Sequence, residues 1–263
     1  MDTDDLLTTA RRAAVAGGAI LRSYFGRELE AREKRGDDLV TEADLAAEET
    51  ILAILGSASP GFGLYSEERG EVRAESEYVW VVDPLDGTNN FVLGMPQFGV
   101  SVSLLRAGEP VLGVVYHPVA DRLWEAASGG GALCNGVPVS PTSRVELRRA
   151  TVAYVQGYPV GRDRGEAVQR PLRDTAKRVL TSWAPALDWC LLAEGKVAAV
   201  VSMESEREDL LAGALIAREA GALLTDFRGE PYTSGMAHVL GSTDPGTQGE
   251  LLRLLASFVA SPQ

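Results

Sequence analysis

The stretch Trp80-Val81-Val82-Asp83-Pro84-Leu85-Asp86-Gly87-Thr88-Asn89-Asn90-Phe91 joins a short apolar run to two carboxylates and a hydroxyl. Val79 to Val82 is β-branched and aromatic, too short for a helix, and stops at a proline, which predicts a buried strand. Asp83 and Asp86 then fall in the turn leaving that strand, where Pro84 fixes φ and removes a donor while Gly87 permits tight backbone geometry. An isolated Asp-Gly is an ordinary turn signal, because the aspartate side chain bonds nearby backbone donors. Here the two acids come with a backbone carbonyl between them and a hydroxyl two residues on, at the end of a strand expected to be buried. Like charges this close raise each other's pKa unless a cation lies between them, and hard cations such as Mg²⁺ take oxygen ligands of these types. The pattern therefore favours a metal site over ordinary turn chemistry.

Outward from this stretch, 263 residues suffice for one large domain or two lobes sharing a core, and a 45% hydrophobic content is that of a globular protein. The net charge of -12 argues against nucleic-acid or anionic-membrane partners, and by itself against a phosphate-bearing substrate. A bound divalent cation reverses that last inference locally, since it would be the largest charge in the site. Cys134 and Cys190 stand far apart among apolar neighbours, with no zinc spacing and no disulfide framework, and read as buried small hydrophobes of a reducing cytosol. The Met-Asp-Thr-Asp-Asp start lacks the basic segment of a secretion signal and no apolar run approaches membrane-spanning length, so a cytoplasmic protein is expected.

Upstream, apolar residues from Leu6 to Phe25 recur at helical spacing before Gly26, which predicts an amphipathic helix over 4–25. Glu28 to Asp38 reads as a solvated loop or hairpin, with Lys34 able to lean toward an anion. Thr41 is the expected N-cap of a second helix running through Leu55 and closed by Gly56, with Asp44 in its first turn complementing the helix dipole. Phe62 to Tyr65 suggests a short strand leading into Ser66-Glu67-Glu68, paired glutamates that would by default be solvated.

Downstream, strands at Phe98–Leu105, Val111–Tyr116, Leu123–Ala126 and Ala132–Cys134 are separated by short turns and predict an antiparallel meander. Gly129 to Gly131 completes neither nucleotide-binding glycine motif and reads as a turn. After a polar joint at Pro141 to Arg149, strands and helices alternate. The expected elements are strands at 150–155, 197–201, 223–226 and 238–240, and helices at 164–178, 185–194 and 207–220 with a last one opening at Asp244-Pro245. The pattern is that of a two-lobed α/β or α+β protein with helices layered over sheets, divided into 1–145 and 146–263. Glu208-Asp209 at a helix start is ordinary charge placement, and is also where an acid could reach a metal shared with a phosphate.

Asp83-Pro84-Leu85-Asp86-Gly87-Thr88-Asn89-Asn90-Phe91 resembles the signature of the inositol monophosphatase family, Mg²⁺-dependent and lithium-sensitive phosphomonoesterases. The resemblance extends through Asp38-Leu39-Val40-Thr41-Glu42-Ala43-Asp44, Ser66-Glu67-Glu68, Gly113-Val114-Val115-Tyr116-His117-Pro118, Asn135-Gly136, Asp209-Leu210-Leu211-Ala212-Gly213 and Glu219-Ala220-Gly221. It implies the layered αβαβα sandwich of the sugar phosphatases, a site between two lobes, two or three Mg²⁺ ions, and a homodimer. It also implies that Asp83 bridges two metals, joined at one by Glu67 and the Leu85 carbonyl and at the other by Asp86 and Asp209. A third, weaker ion would lean on Glu67 through water. Thr88 paired with Asp44 would orient the attacking water, and the Gly87 and Thr88 backbone donors would hold the phosphate. Phosphoryl transfer needs positioning and charge neutralisation more than covalent help. A chain whose only histidines, His117 and His238, offer no triad suits that chemistry.

Departures from the family pattern fall where substrate is chosen. Glu208 stands where the family has Trp before the second-lobe aspartate. Ser202 stands where inositol-specific members hold substrate hydroxyls with a glutamate, and is the expected substrate contact together with Asp86, Gly87, Thr88 and Asp209. Trp183-Ala184-Pro185-Ala186 replaces Gly-Ser-Ala-Ala, and Asn89-Asn90-Phe91 differs from the Lys-Glu-Phe of the adenosine 3',5'-bisphosphate branch. Inositol 1-phosphate leads the expected substrates, with fructose 1,6-bisphosphate and histidinol phosphate behind. The aspartyl-phosphate chemistry of haloacid dehalogenases, with its Asp-x-Asp, is disfavoured by the extra residue between the acids. A non-enzymatic metal-binding regulator is disfavoured because every expected ligand is present.

Overall fold

Asp2 caps the first helix by accepting the Asp5 N–H at 2.8 Å, and the apolar spacing that follows buries Leu6, Ala10, Ala13, Ala14 and Leu21 along one stripe of α1 (Thr3–Tyr24). The structure, a computed structural model, describes residues 2–27, 32–33, 39–72, 76–141 and 145–260. Lys34, Asp38 and positions 142–144 of the polar joint lie outside the described residues. A short antiparallel pair, β1 (Arg32–Glu33) and β2 (Leu39–Val40), leads into α2 (Glu42–Ala58). Thr41 caps α2 in a reciprocal capping box with Asp44, as expected. The helix does not stop at Gly56; it runs on to Ala58, and Ser59 closes it. A single glycine lowers helix propensity but ends a helix only where the chain turns left-handed.

An eight-stranded sheet follows, built from β3 (Gly63–Ser66), β4 (Gly70–Val72), β5 (Tyr78–Asp86), β6 (Gly99–Arg106), β7 (Glu109–His117), β8 (Arg122–Ala127), β9 (Ala132–Cys134) and β10 (Val137–Pro138). The short helix α3 (Thr88–Val92) separates β5 from β6. Strand order is β10-β9-β8-β7-β6-β5-β3-β4, the expected antiparallel meander ending in a parallel β3–β5 pair. Strand β5 departs from expectation, because it passes through Pro84 to Asp86 instead of stopping at Val82. Asp83 faces Ser101 and Asp86 faces Gly99, so three steps on β5 match two on β6. The one extra residue is a β-bulge at the proline, where a missing ladder donor is tolerated.

After a 3₁₀ turn at Leu147–Arg149 come β11 (Thr151–Gln156), α4 (Arg162–Thr175), β12 (Arg178–Leu180), α5 (Pro185–Ala193), β13 (Ala199–Met203), α6 (Arg207–Glu219), β14 (Leu223–Thr225), β15 (His238–Ser242) and α7 (Pro245–Ala260). Helix α4 ends at Thr175 rather than reaching Arg178, and residues 178–180 instead form an edge strand pairing with β11. The second sheet runs β12-β11-β13-β15-β14, with its first three strands parallel.

Three large cores and a small one of Val81, Leu105 and Leu211 bind five layers. Helices α1 and α2 pack on one face of the large sheet through Leu21, Ile51, Trp80, Phe98 and Val102. Helices α5 and α6 fill the space between the two sheets with Trp189, Leu192, Leu215 and Ile216, against Trp124 of β8 and Val200 of β13. Helices α4 and α7 cover the far face of the second sheet through Val168, Leu172, Leu251 and Leu255. The αβαβα order matches the expectation. Both cysteines are buried and free.

Candidate active site

The β5 bulge supplies the chemistry. Residues three apart on a regular strand point to opposite faces, but the inserted residue brings Asp83 and Asp86 to one side. There they meet Asp209 from the first turn of α6, with one carboxylate oxygen from each of the three lying within 4.8 Å of the others. Glu67, just beyond β3, lines the same cavity of about 150 Å³, as do Leu85, Gly87 and Thr88. Four of the acids that the family resemblance assigns to one site thus come from three segments, and Asp44 reaches it from a fourth through Thr88.

Two of the acids are held by backbone donors. Asp83 Oδ1 accepts the Leu85 N–H at 2.8 Å, which fixes it across the bulge. Asp86 Oδ1 accepts the Ala186 N–H at 3.3 Å in the first turn of α5, and its other oxygen is buried without a hydrogen-bond partner. Burial, reinforced by the negative charge of Glu67 and Asp209, pushes the Asp83 carboxyl well above the ordinary range. Burial, with Asp86 and Glu67 beside it, does the same to Asp209. Burial raises Asp86 to about 8 against the backbone donation from Ala186, with Asp188 and Glu67 adding to the rise. Four acids destabilising one another in a partly dry pocket, with an orphaned carboxylate oxygen and no Lys, Arg or His among the described lining residues, form an oxygen donor set suited to divalent cations.

Asp44 has two tasks. Its Oδ2 accepts the Thr41 N–H at 2.8 Å and hydroxyl at 2.6 Å, and its Oδ1 accepts the Thr88 hydroxyl at 3.2 Å. The same hydroxyl lies 3.0 Å from the Leu85 carbonyl oxygen. Gly87 takes φ 93, and a Cβ there would come within 2.9 Å of the Gln97 carbonyl oxygen and 3.2 Å of that of Trp183, so only glycine fits.

Ser202 is placed differently from expectation. It shares the phase of Val200 on β13, faces the middle core, is 1% exposed, and does not line the cavity. The pleat gives Ser202 to the middle core and Met203 to the core on the other face of the sheet, and Ser205 and Glu206, beyond the strand end, line the cavity instead. Tyr154, Gln156, Tyr158 and Asp188 also line it and were not singled out by sequence. Asp188 gave the clearest signal, an acid in the first turn of an otherwise apolar helix. Burial pushes its carboxyl up to about 7, and it accepts the Ser182 hydroxyl at 2.8 Å. Glu208 turns away from this cluster. It is buried, accepts the Tyr65 hydroxyl at 3.2 Å, and is pushed up to about 7, chiefly by burial. Neither histidine lines the cavity, in keeping with a structural role.

A bulged strand presenting paired aspartates, a third aspartate from a helix in the layer between two sheets, and a threonine–aspartate pair beside them define a phosphoric monoester hydrolase of the metal-dependent class. A sequence model of the inositol monophosphatase family matches residues 2–260, and the chain belongs to that family. It is 36% identical over 232 residues to a fructose-1,6-bisphosphatase/inositol-1-monophosphatase of Aquifex aeolicus, covering 86% of this chain and 87% of that one. It is 35% identical over 233 residues to the Nus factor SuhB of Pasteurella multocida, covering 85% and 86%. Among solved structures, the extragenic suppressor protein suhB of Bartonella henselae superposes with a TM-score of 0.90 at 30% identity, over 95% of this chain and 98% of that one.

Proposed function

We propose that this chain hydrolyses a sugar or polyol phosphate monoester with Mg²⁺, inositol 1-phosphate being the leading substrate and fructose 1,6-bisphosphate and histidinol phosphate the alternatives. The observation that carries this reading is the convergence of Asp83, Asp86 and Asp209 within 4.8 Å, in a cavity that also holds Glu67 and Thr88. Glu67, Asp83 and the Leu85 carbonyl would hold one ion, and Asp83, Asp86 and Asp209 another, with a third near Glu67. When bound, the ions neutralise the phosphoryl charge and acidify the attacking water.

The chain's own residues do the positioning. Asp44 fixes the Thr88 hydroxyl through the 3.2 Å contact, so that the Thr88 oxygen orients a water and Asp44 takes up proton density passed along the pair. Gly87 and Thr88 offer backbone N–H groups to the phosphate at the start of α3. Two lobes, 1–145 and 146–263, with the site between them, lithium sensitivity and a homodimer are parts of the same proposal. A cytoplasmic location is a further part of the proposal; no helix among the described residues is long and apolar enough to cross a membrane.

Phosphate release from a panel of these esters, with Mg²⁺ and with excess chelator, tests the reading. Metal-dependent turnover of at least one ester is the expected result; full turnover in chelator overturns the metal mechanism.

A further inference from the structure

Trp183 holds a backbone conformation that tryptophan rarely adopts. Its φ is 58, in the left-handed region, and its side chain is 53% exposed at the cavity. A bulky residue in that region is strained and persists only where its surroundings fix it. Those surroundings are visible. The Ser182 hydroxyl donates to Asp188, the Ala184 N–H donates to Ser182 Oγ at 3.1 Å, and Asn90 Nδ2 donates to the Ser182 carbonyl at 2.7 Å. The position matches the first glycine of the Gly-Ser-Ala-Ala pattern, where this backbone shape would cost nothing. An exposed indole buries little in return, so core packing does not account for it.

A second exposed aromatic lines the same cavity. Tyr158 is 43% exposed, and its hydroxyl accepts a hydrogen bond from Asn89 Nδ2 at 3.3 Å. Tyr158 follows the carboxyl end of β11 and Trp183 that of β12, a parallel pair, and ligands of such sheets bind beyond the carboxyl ends of their strands. Asn89 and Gly87 of the α3 segment touch the two flanking loops, Asn89 through Tyr158 and Gly87 against the Trp183 carbonyl. Both residues therefore border the space next to the phosphate-holding segment, where the alcohol portion of an ester would project.

The geometry points to Trp183 and Tyr158 as an aromatic clamp for a ring in the leaving alcohol, selecting phosphate monoesters of ring-bearing alcohols over open-chain ones. This rests on the assignment of the cavity as a phosphatase site. Ring faces pack well on indole and phenol surfaces, whereas an open polyol chain gains little there.

The test compares kcat/KM for benzyl phosphate with that for glycerol 2-phosphate under saturating Mg²⁺, in the full chain and in Trp183→Gly, Trp183→Phe and Tyr158→Leu. Relative to wild type, the benzyl-to-glycerol ratio is expected to fall about tenfold in Trp183→Gly, less in Tyr158→Leu, and to be largely kept in Trp183→Phe. Because glycine adopts φ 58 freely, Trp183→Gly is expected to melt no lower than wild type, which separates lost selectivity from lost folding. An unchanged ratio in Trp183→Gly overturns the clamp. Failure of the wild-type protein to release phosphate from either of these esters and from every ester of the panel above sinks the phosphatase reading on which it stands.

Discussion

Asp86 Oδ1 and the Ala186 N–H lie 3.3 Å apart, so a carboxylate of the bulged strand closes the N-terminus of a helix one hundred residues further on. The neutral replacement Asp86→Asn keeps an oxygen for that N–H and removes the charge. Mg²⁺-dependent turnover should be nearly abolished. The metal-free variant should melt above the wild type at pH 8, because the buried Asp86 carboxyl, raised to about 8, is substantially ionised there. Calorimetry in chelator checks the second outcome independently of the first.

Metal-free stability should fall as pH rises. Burial lifts Asp86 to about 8 and Asp188 to about 7 from an ordinary 3.8. The folded chain therefore keeps protons that the unfolded chain has lost, and the cost begins near pH 4, grows to about pH 8 and then levels off. Saturating Mg²⁺ should recover most of the loss at the upper end, since cation binding requires the ionised carboxylates. Melting curves in chelator that rise steadily from pH 4 to 8 would contradict this account.

The Thr88–Asp44 contact should matter to the chemical step more than to metal binding. Thr88→Val is expected to lower kcat by about 100-fold or more while leaving the Mg²⁺ concentration for half-activation close to that of wild type. Asp44→Asn should lower kcat similarly and keep the capping oxygen of α2, whereas Asp44→Ala should in addition cost about 1 kcal/mol of stability. Stopped assays and urea denaturation separate the two effects.

Glu67→Gln and Asp209→Asn should each cut turnover by about 100-fold and raise the Mg²⁺ requirement, with far-UV circular dichroism unchanged. Wild-type activity in both variants would overturn the assignment of Glu67 and Asp209 as metal ligands.

The layers and most of their elements were legible in the sequence because helix and strand periods differ and the caps at Thr41, Pro185 and Asp244 are local signals. The bulge was not. Pro84 is a reason to end a strand, and only the pairing of β5 with β6 shows the chain continuing through it. That pairing is non-local and decides that Asp83 and Asp86 face the same way. The short edge strand β12 was hidden for a related reason, since three residues carry no period and exist as a strand only beside β11. Asp44, Glu67 and Asp209 looked like surface or dipole charges by spacing alone, and their common destination was readable only through resemblance. Ser202 shows the reverse error: an aligned position placed it near substrate, but the strand's pleat buries it in the middle core.

Asp209 rides on α6, which lies between the sheets, while Asp83 and Asp86 belong to the larger sheet. A cation gripped by all three is thus a removable rivet through two layers of the sandwich. Rigidity of the whole stack would then be a function of ion supply, with the free divalent-cation level setting how tightly the layers are fastened as well as how fast the enzyme turns over.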